Sequence, residues 1–214
     1  MRFPGFPLPD DDAARLADAV RRQLRNRSWL QRREACAVAL GLCGLRGCEV
    51  VRLRLPEVDA GGRVLVRAAK RGRQRTVEVG EDVARCMLEL PRVAMRRCAT
   101  GHVFFSRSGA RFACSDSKEE PYKAFVRRAC EGRVYAFHCL RHTAAVRVWR
   151  ECRDLLVVQS YLGHRHSATT EVYLRGLGLM GGDAVLPPWD GRERVVLFNP
   201  DDLPVRRLRP VPAA

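Results

Sequence analysis

Residues 138–173 open on His138-Cys139-Leu140-Arg141-His142, pass through Tyr161-Leu162-Gly163-His164 and close on Thr169-Thr170-Glu171-Val172-Tyr173. Between these blocks Ala144, Ala145, Val148 and Trp149 recur at helical spacing, which predicts a helix from Arg141 to Cys152. Asp154 then caps a second helix that runs to Leu162 and stops at Gly163. Ser167 can cap a short third helix that carries Tyr173. Three short helices thus follow one another, with His138, Arg141, His164 and Tyr173 at or near their ends.

Upstream, residues 1–9 hold three prolines and a glycine and read as an extended lead-in. Asp10, Asp11 and Asp12 suit the positive end of a helix, and Arg21, Arg22, Arg25 and Arg27 its negative end. A second helix is expected from about Leu30 to Leu42, facing inward through Ala35, Val38, Ala39 and Leu42. Gly44 and Gly47 bracket Leu45-Arg46 and predict a break. Residues 63–79 read as a β-hairpin: Val64 and Val66 alternate inbound, Val77 and Val79 outbound, and Lys70-Arg71-Gly72-Arg73 forms the tip. A helix from Glu81 to Leu90 follows, interrupted at Pro91. Val103-Phe104-Phe105 is a short strand or buried segment, Ser106 to Ser117 a polar loop, and Lys118 to Cys130 a helix with Pro121 in its first turn. Beyond Arg175 come Gly176, Gly178, Gly181 and Gly182, then a Pro- and Arg-rich tail in which Val195 to Phe198 allows one strand.

The chain of 214 residues is long enough for one good-sized core or two small ones. Its net charge of +15 points to a polyanionic partner, nucleic acid ahead of an anionic membrane surface. Nearly all that charge is arginine, and the only lysines are Lys70, Lys118 and Lys123. Any motif resting on Arg is weakened accordingly, and one resting on Lys is strengthened. Nine cysteines, an odd number without a CxxC pair, fit reduced thiols better than a disulfide framework or a zinc site. No apolar run is long enough to span a bilayer and the N-terminus lacks a signal peptide's apolar core, so the expectation is a cytoplasmic protein. There is no Gly-rich phosphate loop, so no nucleotide cofactor is expected, and no carboxylate or histidine spacing suggests a metal.

The ordered set His138, Arg141, His164 and Tyr173 resembles the active-site half of the tyrosine recombinases, the phage-integrase family, where a HxxR motif, a His after Leu-Gly and a Tyr nine residues on appear in this order. Gly44-Leu45-Arg46-Gly47-Cys48-Glu49 resembles that family's first box, with Cys43 in place of the usual Thr. Lys70 falls where the family carries a hairpin lysine, with Ala69 where Gly is more usual. The resemblance covers residues 10–175. It implies a mainly α domain with a small antiparallel three-stranded sheet (an α+β fold of tyrosine-recombinase catalytic-domain architecture), followed by a Gly/Pro-rich tail over 176–214.

Breaking a phosphodiester needs a nucleophile, charge neutralisation in the transition state and a proton for the leaving oxygen. The resemblance assigns these tasks to residues. Tyr173 attacks phosphorus, Arg46 and Arg141 take the phosphate oxygens, and Lys70 protonates the leaving 5′-oxygen. His138 accepts or relays the nucleophile's proton, His164 hydrogen-bonds the phosphate, and Glu49 orients Arg46 or a neighbouring backbone group. Taken singly, each has a plainer reading: a surface arginine, a solvated hairpin lysine, a half-buried packing tyrosine. Their joint order favours chemistry, and for Lys70 the scarcity of lysine adds to it. His142 reads as structural.

The implied activity is metal-independent cleavage and rejoining of double-stranded DNA through a 3′-phosphotyrosyl link, in an integrase or recombinase of a mobile element acting as a homo-oligomer on DNA. Few residues precede the first helix, so the expectation is either a minimal recombinase or one that borrows a clamp from an accessory protein or a second copy. The alternative reading is a non-catalytic DNA-binding protein derived from a recombinase. A relaxing enzyme that nicks supercoiled DNA ranks third.

Overall fold

Helix α1 (Asp10–Leu24) starts on three aspartates, ends on Arg21 and Arg22, and turns Ala13, Leu16, Ala17, Val20 and Leu24 inward. In this computed structural model of the chain, the described residues are 6–67, 74–94, 101–110, 122–176 and 179, with the backbone alone at 169 and 173. Lys70 and its neighbours at the hairpin tip, Pro121, Cys98, Cys114 and the tail beyond Gly176 (Leu179 excepted) lie outside them.

Helix α2 (Trp29–Leu42) is the spine, buried continuously from Ala35 to Leu42. It packs against α1, α4 (Glu81–Val93) and α6 (Phe137–Cys152). The approach to α6 is close. A Cβ on Gly41 would lie 2.7 Å from Leu140 Cδ1 and 3.0 Å from Phe137, so glycine sets the distance at which α6 brings Arg141 against the end of α2. Each Val or Leu side chain fully buried here is worth roughly 1.5–3 kcal/mol over exposure.

The end of α2 is a Schellman turn. Leu45 N donates to Leu40 O at 3.0 Å and Gly44 N to Gly41 O at 2.9 Å, with Gly44 at φ +83°. The chain then enters a short helix, α3 (Gly47–Arg52), where the sequence reading had only a break. A 3₁₀ turn (Leu55–Glu57) leads into an antiparallel sheet in the order β1 (Val58–Asp59), β2 (Arg63–Val66), β3 (Arg75–Glu78). Val64 pairs with Val77 and Val66 with Arg75, which puts the valines on the core face and Arg75 at the loop end of the ladder.

Two boundaries differ from the sequence reading. Helix α4 continues past Pro91 to Val93. Proline forfeits one hydrogen bond there, but so near the helix end the last turn still closes, Ala94 N donating to Leu90 O at 2.9 Å. Helix α6 starts at Phe137 rather than Arg141, because Phe137, Leu140 and Ala144 already form its buried stripe. His138 and Arg141 therefore share its first turns. The segment Val103–Phe105 is buried, with the neighbouring His102 bridged to Arg54. Helix α5 is seen over Lys123–Ala129.

Helices α7 (Leu155–Leu162) and α8 (Ser167–Gly176) form a second, smaller core with α6, through Ala145, Val148, Trp149, Val158, Leu162 and Leu174. Asp154 caps α7 as expected, its carboxylate accepting from Leu156 N at 2.7 Å. Gly163 at φ +65° closes α7 in a second Schellman turn, with His164 N donating to Gln159 O at 3.1 Å. The described cysteines are free thiols, most of them buried, and Cys152 is exposed. No helix among the described residues is long and apolar enough to cross a membrane.

Candidate active site

The two Schellman turns carry the site. The first delivers Arg46 just after α2, and the second delivers His164 just after α7. Arg141, rising from α6 between them, ties both together. Its Nη1 donates to the carbonyl of Gly44 and its Nη2 to the carbonyl of Leu162 at 2.6 Å. Arg141 is 2 % exposed, so one guanidinium buried at the junction bonds both glycine turns.

Glu49 is the hub of charge. Its Oε2 accepts from the backbone N–H of Arg46 at 2.8 Å, capping α3, and its Oε1 accepts from Arg46 Nη1 at 3.0 Å. Arg75 approaches as a fork, Nη1 to Oε1 at 3.1 Å and Nη2 to Oε2 at 2.9 Å. Arg141 Nη1 lies 3.9 Å from the same carboxylate. Burial would raise the Glu49 pKa, but the hydrogen bonds and charge of Arg75, the Arg46 backbone N–H and the charge of Arg141 override it and hold the carboxyl at about 2. Among the described residues, three guanidiniums thus face one carboxylate in this cluster. The Arg46 side chain keeps 28 % of its surface exposed, against 8 % for Arg75, so Arg46 forms the solvent side.

His164 sits beside Arg141, Nε2 to Nη2 at 3.4 Å, with its Nδ1 3.0 Å from the hydroxyl of Thr170 on α8. Burial, then the charges of Arg141, Arg46 and Arg75, push its pKa down to about 3. The imidazole is therefore neutral at physiological pH.

Of the seven residues expected together, Arg46, Glu49, Arg141 and His164 converge in one cluster. His138 stands exposed on the first turn of α6, its ring 6.0 Å from that of His142 one turn on. Tyr173 lies in α8, three residues after Thr170 and next to Leu174, whose full burial docks the helix. Lys70 is outside the described residues. Arg75 and Thr170 were not expected. Among so many arginines Arg75 carries no signal of its own, although its place on the return strand of the lysine-bearing hairpin was a usable one. No group of His, Cys, Asp and Glu arranged to hold a metal occurs among the described residues.

The model of the phage integrase family matches residues 8–177, and the chain belongs to that family. It is 31% identical over 170 residues to the tyrosine recombinase XerC of Chromobacterium violaceum, covering 78% of this chain and 54% of that protein. It is 30% identical over 155 residues to the tyrosine recombinase XerD of Mycobacterium tuberculosis, covering 70% and 47%. The chain thus spans about half the length of these relatives. Among solved structures, the crystal structure of XerA recombinase superposes with a TM-score of 0.61 at 25% identity, over 81% of this chain and 61% of that one. The XerH recombinase bound to a palindromic difH substrate shares the fold, with a TM-score of 0.64 at 15% identity over 82% and 50%.

Proposed function

We propose that the chain carries the catalytic part of a site-specific DNA recombinase, most simply an integrase or recombinase of a mobile element. It would act as a homo-oligomer on double-stranded DNA. The observation that carries this reading is the convergence of Arg46, Arg141 and His164, from three separate segments, around Glu49. Each solved relative cited is a recombinase, and one is bound to its DNA substrate.

The Tyr173 phenol oxygen attacks the scissile phosphorus, His138 takes the phenol proton, and the bond from phosphorus to the 5′-oxygen breaks. Lys70 gives that oxygen a proton, leaving a 3′-phosphotyrosyl link and a free 5′-hydroxyl. Phosphodiester number is conserved, so attack by a 5′-hydroxyl reverses the step and rejoins a strand. Arg46, on the solvent side, meets one non-bridging oxygen. Each Arg141 Nη nitrogen carries two protons and spends one on a carbonyl. The second proton on Nη2, now directed at His164 across 3.4 Å, turns to the other oxygen. With charge neutralised by guanidiniums, the reaction runs without a metal ion.

The test is incubation with nicked suicide duplexes bearing a panel of mobile-element ends, in the presence of EDTA, followed by a denaturing gel. The wild-type chain is expected to give a DNA-shifted covalent band and Y173F none. Failure of the wild type on every duplex removes the reading, and DNA binding without a covalent band returns the non-catalytic alternative.

A further inference from the structure

Glu49 is as well placed to disable the site as to build it. A buried carboxylate beside Arg46 and Arg141 competes with any phosphate for the same guanidiniums. It already holds Arg46 Nη1 at 3.0 Å through Oε1, and Arg141 Nη1 stands 3.9 Å from Oε2. What limits that competition is Arg75, whose two Nη atoms occupy both carboxylate oxygens at 3.1 and 2.9 Å. Arg75 is held for this task from two sides. Its backbone is registered against Val66 at the loop end of the β2–β3 ladder. Its side chain runs under the turn before His164, where a Cβ on Gly163 would lie 2.8 Å from Nη1 and 3.1 Å from Cδ.

We propose that Arg75 is a positioning residue for the strand-cleavage reaction: its fork saturates Glu49 and thereby keeps Arg46 and Arg141 available to the scissile phosphate. This rests on the reading given under Proposed function. Arg75 itself is assigned no DNA contact: its fork faces Glu49 and its side chain is 8 % exposed. Without it, Glu49 takes the Arg46 fork inward and draws on Arg141. Removing the Glu49 charge as well lifts that competition, which gives the proposal a sharp signature.

The experiment measures single-turnover covalent cleavage of a nicked suicide duplex, together with DNA affinity, for wild type, R75A, E49Q and R75A/E49Q. R75A is expected to slow cleavage on the order of 100-fold, with DNA affinity changed only about threefold, because phosphates along the whole duplex supply most of the binding. R75A/E49Q is expected to cleave about tenfold faster than R75A, a coupling that a residue needed only for folding does not produce. If R75A does not fold, R75K, which keeps the charge and loses the fork, and R75K/E49Q carry the same comparison. Wild-type rates in the Arg75 variants, or no recovery on adding E49Q, overturn the proposal. Absence of covalent product from the wild type instead removes the underlying reading, and this inference with it.

Discussion

Arg141 Nη2 and His164 Nε2 stand 3.4 Å apart, with the other imidazole nitrogen 3.0 Å from the Thr170 hydroxyl. A guanidinium only donates, so in this arrangement Nε2 presents its lone pair and Nδ1 carries the proton. A phosphate that accepts from His164 requires the proton on Nε2 instead. The Thr170 hydroxyl serves both tautomers, accepting from Nδ1–H in one and donating to Nδ1 in the other. Thr170→Val keeps the shape of this fully buried side chain and deletes that partner. It is expected to cost about 1–3 kcal/mol in chemical denaturation, while Thr170→Ser retains most of the stability. Equal midpoints for the valine and serine variants would refute the assignment.

Acid should loosen the fold through His164. Its pKa falls from 6.5 in the unfolded chain to about 3 in the folded one. Between those values the unfolded chain binds a proton that the folded chain refuses. Stability is therefore greatest above pH 6.5 and falls as the pH is lowered toward 3, by on the order of a few kcal/mol. Urea midpoints measured from pH 7 to pH 4.5 check this, and His164→Asn is expected to flatten the slope.

Glu49 acts in a lower window with the same sign. Its carboxyl drops from 4.5 to about 2 on folding, so its contribution is complete above pH 4.5 and is lost as the pH falls toward 2. Glu49→Gln is expected to remove that dependence below pH 4.5 while leaving the slope above it intact. At neutral pH the variant should lose ~3 kcal/mol, as expected when one member of a buried ion pair is taken away. Thermal unfolding at pH 7 measures the loss, and an unchanged transition would show that the ion pairs do not support the fold.

Gly163 is constrained twice, by its backbone at φ +65° and by the Arg75 side chain that a Cβ would meet. Gly163→Ala is expected to cost about 1–2 kcal/mol from the left-handed backbone alone. It should also slow covalent cleavage by displacing Arg75. Combined with R75A it should add little further loss of rate, because both changes act on one contact. Full additivity in that double variant would separate the two residues.

The helices around this site were legible because their apolar residues repeat at helical spacing and their ends carry strong stop signals, such as Asp154 before α7 and Gly163 after it. Arg46, Glu49, Arg141 and His164 were legible as members of a longer ordered set of motifs that also included Lys70, His138 and Tyr173. Other features had no local signature. With 39 Lys and Arg in the chain and only three of them lysine, nothing in composition distinguishes Arg75 from its neighbours. Its burial is decided by Glu49, 26 positions away. Thr170 reads as an ordinary helix threonine until His164 is folded over it. Pro91 looked like a helix end because proline removes a backbone donor, but so near the C-terminal end of α4 the loss is one bond.

The tie that Arg141 makes to Gly44 joins positions 97 residues apart, and its tie to Leu162 spans a further 21. Closing so long a loop must wait for nearly the whole domain to leave the ribosome. Glu49, Arg46 and Arg75 can find one another early in synthesis, yet Arg141 and His164 join them only near the end. A half-made chain therefore holds the carboxylate with two of its guanidiniums but not the buried junction, and the full cluster arrives together with the completed fold.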